Sequence, residues 1–314
     1  MMRKLTRRTP FRSAAAVMLA AACIATSAVP VAAGDLNQVV SADEAIAPAG
    51  ELVEFRSGHA DIGPLMVPKK DNPDVPFSTY IRDDSNTPPV WRSPEDVLFV
   101  VGDNAKQTLP DTQDFAFTGA TPGSSVWVVP QVEQVGVPWV GWNTQSPAFV
   151  EAITGGITMS FAGHHGPGQF TLFLQNGGFE KPQLLWTSAE KTAQDIYVDA
   201  NTHTHANWVF TEPGIHQVAV KITAELKDGG VKEDTQILSF AVGEEADLPA
   251  AQAVTWDGDF LSEGDDSGVA AVGTIDRTGD NQAVLWAIIA IVAVLVIGSI
   301  VVVIRALSRP RGEK

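Results

Sequence analysis

The chain has almost no cysteine: Cys23 is the only one in 314 residues. It falls within the first 33 residues, a segment that reads as a cleaved leader. The mature chain can therefore form no disulfide, and its core must hold without covalent staples. Basic residues are also scarce, with 21 Lys and Arg against 37 Asp and Glu, a formal net charge of −16. Five of the bases lie before residue 34, and four, with one acid, lie after residue 304. Residues 34–282 are left with 12 bases and 36 acids, a net charge of −24. Such a surface repels nucleic acid and anionic lipid and draws in cations. The sequence also lacks a G-x-S-x-G elbow, an H-E-x-x-H helix and a phosphate-binding loop. Acidic pairs are plentiful, but nothing in the sequence sets two of them at a glycosidase spacing. The chain is not expected to be an enzyme.

What is present begins with the two ends. Arg3, Lys4, Arg7, Arg8 and Arg12 precede a short apolar stretch from Ala14 to about Ala25, and Val31-Ala32-Ala33 offers a cleavage site. That order predicts a signal peptide over residues 1–33. At the other end, residues 283–304 form an uninterrupted apolar or small-residue run, long enough for one transmembrane helix. Arg305, Arg309, Arg311 and Lys314 follow in a basic tail, residues 305–314. The positive-inside rule puts that tail in the cytoplasm and the rest of the chain outside, as a single-pass cell-membrane protein.

Between the ends, residues 34–49 are small and polar and read as a flexible segment. Residues 244–282 are crowded with Asp and Glu, with Arg277 as the only base, and read as an extended, disordered acidic stalk. Residues 50–243 read as the folded domain, long enough for a substantial core. In His216 to Leu226, residues Val218, Val220, Ile222, Ala224 and Leu226 share one face of a strand. Phe170, Leu172 and Leu174 alternate in the same way, as do Ile157, Met159 and Phe161. Asp228-Gly229-Gly230 predicts a hairpin turn between the strongest strand and the last one, Gln236–Val242. Many short strands broken by Gly and Pro predict an all-β, Ig-like β-sandwich. Trp139 and Trp142 fall in a Pro/Gly-rich stretch that reads as a loop, so they are the tryptophans expected to be exposed. His164 and His165 likewise read as loop residues, whereas His216 lies on an apolar face and is expected in the core.

The chemistry concentrates in two short patterns, His59-Ala60-Asp61 and His203-Thr204-His205. On a strand, positions i and i+2 point the same way. Each pattern therefore presents two potential ligands side by side. If the fold brings His59, Asp61, His203 and His205 together, three nitrogens and one oxygen could surround a divalent transition metal such as zinc. The alternative is structural: a His-x-His beside a buried Trp can simply bond backbone groups at a sheet corner. Asn207 is expected to satisfy backbone groups.

These residues also carry a resemblance. His203-Thr204-His205-Ala206-Asn207-Trp208-Val209-Phe210 followed by Pro213-Gly214 resembles the repeat domain of actinobacterial surface-anchored proteins. Ser57-Gly58-His59-Ala60-Asp61, Val126–Gln131, Gly141–Thr144 and Gly166–Phe170 agree with that pattern in order. His216 departs from it, standing where the family usually has an aromatic residue. The resemblance implies an extracellular binding or accessory protein, partnered with ABC transporter components thought to import metal. The rival expectation is a cell-envelope structural or adhesion module that binds polymer or protein.

Overall fold

The computed structural model describes residues 39–68, 76–175, 181–262 and 270–272. The expected leader, transmembrane helix and basic tail lie outside them. Among the described residues no helix is long and apolar enough to cross a membrane.

The domain is all-β and built from three sheets. One has seven strands, in the order Ala270–Val272, Gln194–Asp199, Ile153–His165, Gly214–Leu226, Val231–Val242, Val97–Val101 and Val53–Phe55. A second has five, Gln183–Thr187, Phe170–Leu174, Asn207–Phe210, Ser125–Val129 and Lys106–Thr108. The third has six, Ala45–Ile46, Val90–Arg92, Ser78–Asp83, Gly58–Leu65, Pro138–Asn143 and His203–His205.

Side-chain alternation explains how the sheets share a core. Val218, Val220, Ile222 and Ala224 are all buried, as their period of two requires. Their strand pairs antiparallel with Val231–Val242, and the turn closes with the Gly229 amide donating to the Leu226 carbonyl, 2.9 Å. Gly229 sits at φ +86°, a conformation that favours glycine. Aromatic residues then join the seven- and five-stranded sheets: Phe161 lies 6.0 Å from Trp186, and Phe240 lies 5.0 Å from Phe210 and 5.9 Å from Trp208. Ala60, Ile62, Val140 and Trp142, from one face of the six-stranded sheet, belong to the same core. Burial of this much aromatic surface supplies the cohesion that a chain without disulfides needs.

The stretch around Trp139 and Trp142 is not a loop but the strand Pro138–Asn143, and both tryptophans are buried. Its proline opens the strand and its glycine is required by close packing, so neither breaks it. The segment 34–49 is not loose throughout. Val40 packs with Leu65 and Trp91, and Ala45–Ile46 pairs in parallel with Val90–Trp91.

Nor does the chain leave the domain at residue 244. Asp247 caps a short helix, Leu248–Ala253, whose Ala251 is buried against Leu98 and Ala241. Farther on, the Leu261 amide donates to the Ala162 carbonyl, 2.8 Å, and the Ala193 amide donates to the Ser262 carbonyl, 3.0 Å. Small apolar residues among the acids let this stretch dock. Apart from Ala270–Val272, the rest of the expected stalk lies outside the described residues.

Candidate metal centre

Pro138–Asn143 is the middle of three strands that build the site. Gly58–Leu65 runs parallel to it on one side and His203–His205 antiparallel on the other. The register sets His59 beside Trp139, Asp61 and His205 on either side of Gly141, and His203 beside Asn143. Since successive side chains alternate, Ala60, Ile62, Val140 and Trp142 enter the core while His59, Asp61, His203 and His205 share the opposite face.

The four side chains converge. His59 Nε2 lies 2.8 Å from His205 Nε2 and 3.1 Å from His203 Nε2, and the last two are 3.1 Å apart. Asp61 Oδ1 lies 3.1, 3.5 and 3.6 Å from the Nε2 atoms of His203, His59 and His205. These six separations are the edges of a slightly irregular tetrahedron. A regular one around zinc, with metal–ligand distances of about 2.0–2.1 Å, has edges of about 3.3–3.4 Å. The donor set and its spacing therefore fit a tetrahedral cation.

Hydrogen bonds alone satisfy this arrangement poorly. A neutral imidazole nitrogen either carries one proton or offers one lone pair, each directed along a single line. Three Nε2 atoms in mutual contact cannot all be paired by protons lying between them. One cation at the shared centre meets all three lone pairs and the carboxylate together. The site is also buried: Asp61 is fully covered, and the side chains of His59, His203 and His205 are 9, 1 and 2% exposed. Burial therefore makes unmet polarity costly.

Close approach is possible because the residue beneath the cluster is Gly141. A Cβ there would lie 2.7 Å from Asp61 Oδ1, 2.7 Å from His205 Cε1 and 2.6 Å from the Thr204 carbonyl oxygen. Trp139 stacks on the His205 ring at 3.9 Å, with 13° between planes, and is fixed by an Nε1–H bond to the Gln131 carbonyl, 3.1 Å. Asn207 receives the Gln131 amide at 3.0 Å, the backbone role expected of it.

The electrostatics follow from burial and proximity. Burial alone would raise the Asp61 carboxyl, but the His203 bond and the neighbouring imidazoles outweigh it and hold the group below its ordinary value. Burial would lower His59, yet the bond to Asp84 and the charges of Asp61 and Asp84 prevail and raise it. Burial dominates at His205, which is pushed down to about 3 and is neutral at ordinary pH.

Sequence reasoning missed the supporting groups. His59 Nδ1 faces Asp84 Oδ1 at 2.6 Å, and Arg82 joins Asp84 to Glu44. Nothing in Asp83-Asp84-Ser85 marks one acid as a histidine partner. The signal for Gly141 was present: a glycine inside an alternating Trp-Val-Gly-Trp stretch marks a close approach.

The other three histidines form a separate group. His164 and His165 end the strand Ile153–His165, so the expectation of loop residues fails. His164 is within hydrogen-bond reach of His216, with Nε2 and Nδ1 3.0 Å apart, and the rings stack at 5.2 Å. The core position expected for His216 holds: it is fully buried, and its Nε2 lies 3.0 Å from the Glu212 carbonyl. His165 turns the other way and stacks on Trp256 at 3.8 Å. Comparison of the chain with protein-family models, curated proteins and solved structures finds no match.

Proposed function

We propose that this chain is an extracellular, membrane-anchored metal-binding protein whose Ig-like β-sandwich holds one zinc-class divalent ion through His59, Asp61, His203 and His205. The observation that carries this reading is the near-tetrahedral convergence of three Nε2 atoms and one carboxylate oxygen, 2.8–3.6 Å apart, from strands distant in sequence. The leader, the residues 283–304 span and the acidic exterior support the placement outside the membrane. The association with an ABC-type metal-uptake system rests on the resemblance of residues 50–243 to the surface-anchored repeat domain. Four protein donors fill a tetrahedral shell and leave no position for a reacting water, which favours holding an ion over hydrolysis. A buried shell also favours slow release. The protein is then an accessory that retains its ion, rather than a carrier that gives it up at each encounter.

The test is metal content of the purified full chain, read by elemental mass spectrometry. About one zinc-class ion per chain is expected after exposure to zinc, manganese, iron and copper, and almost none in a His203→Ala/His205→Ala double variant. A wild-type chain that stays empty sinks the proposal. Gly141→Ala should also lose the ion while keeping all four ligands, because its methyl group would occupy the space into which Asp61 and His205 converge. Full occupancy in that variant would mean that the strands can separate to admit the methyl group.

A further inference from the structure

Among the three clustered histidines, the one with the most exposed side chain, His59, is tied to a chain of buried charges. His59 Nδ1 lies 2.6 Å from Asp84 Oδ1, while the other carboxylate oxygen of Asp84 accepts from Arg82 Nη1 at 2.9 Å. Arg82 then holds Glu44 with two further bonds, Nε to Oε2 at 2.8 Å and Nη2 to Oε1 at 2.7 Å. The side chains of Glu44, Arg82 and Asp84 are 6, 4 and 11% exposed. Side chains this well covered are held in place, and their charges are weakly screened.

Two consequences follow for an ion bound at His59 Nε2. An Nδ1–H held by a carboxylate fixes the ring orientation, leaves the Nε2 lone pair facing the ion, and makes that nitrogen a stronger donor. Charge is the second consequence. With neutral imidazoles, Asp61, Asp84 and Glu44 set three negative charges against the single positive charge of Arg82. Asp83, the next residue, is paired with Arg92 at 2.8 Å and adds nothing. A surplus of two negative charges is balanced by a divalent ion and only half balanced by a monovalent one.

We propose that Asp84, held by Arg82 and Glu44, is the positioning residue that sets the affinity of this site and its preference for a divalent charge. This rests on the metal-binding reading above. It makes the segment around Glu44 part of the metal site, although it lies outside the expected domain.

The experiment titrates the purified full chain with Zn(II) and, separately, with Ag(I), a monovalent ion that imidazole also binds. Wild type is compared with Asp84→Asn and Glu44→Gln, and the melting temperature of each metal-free form is recorded. Asp84→Asn should weaken Zn(II) binding by about 10–100-fold. Ag(I) should weaken less, so the preference for Zn(II) falls. Glu44→Gln should shift both in the same direction by less, and it keeps the test alive if Asp84→Asn does not fold. Unchanged Zn(II) affinity and preference in the variants overturn the relay but leave the four-ligand site standing. Equal loss for both ions, matched by a lower melting temperature of the metal-free form, also overturns it, since a merely structural residue would act that way. A wild type that binds no Zn(II) removes the metal reading itself.

Discussion

Stripping the metal with a chelator is expected to lower the melting temperature of the wild-type protein by roughly 8–16 °C. A ligand that binds only the folded state, at about 1,000 times its dissociation constant, stabilises by about 4 kcal/mol. For domains of 150–250 residues each kcal/mol moves the melting temperature by about 2–4 °C. The site joins residues separated by 142 to 146 positions in the chain, so unfolding disperses its ligands. No disulfide shares the task of joining these strands. The His203→Ala/His205→Ala variant should melt at one temperature with or without chelator. Differential scanning calorimetry of the four combinations decides the matter. A wild type indifferent to the chelator would show that the cluster contributes nothing as a metal site.

The two halves of that site were legible for one reason: strand alternation puts residues i and i+2 on one face. His59 with Asp61 and His203 with His205 are read from that rule alone. That the two halves meet was not legible, because it depends on the strand between them. Pro138–Asn143 was hidden by its own composition, since Pro138 and Gly141 are turn residues by local propensity. Here the proline opens a strand and the glycine makes room for Asp61 and His205, roles set by tertiary contact. The same misreading placed Trp139 and Trp142 in solvent, whereas one stacks on His205 and the other fills the core. Long apolar alternation was a safer guide, and the strand ending at Leu226 and its hairpin partner followed it. Composition misled at both domain edges, where Val40 and Ala251 show that a few apolar residues dock a polar segment. Asp84 left no trace because a carboxylate–histidine contact has no sequence period.

Acidification should destabilise the fold through the second histidine pair. Burial pushes His164 down to about 3, with His216, His165 and Lys191 adding to the effect, and pushes His216 down to about 4. In the unfolded chain both imidazoles titrate near 6.5. Above that value the two states bind equal numbers of protons and pH has no leverage here. Below it the unfolded chain takes up two protons that the folded pair refuses, so stability falls as pH falls, until the folded values of about 3 and about 4 are reached. The loss at pH 5 relative to pH 7.5 is roughly 2–4 kcal/mol. His205 acts in the same direction and the raised His59 in the opposite one. The informative quantity is therefore the difference between wild type and His164→Gln, in which the contribution of the metal-site histidines is common to both. Urea unfolding at pH 5 and pH 7.5 should show about half of the pair's pH-dependent loss removed by the substitution. An unchanged dependence would mean that the pair takes up its protons within the folded state.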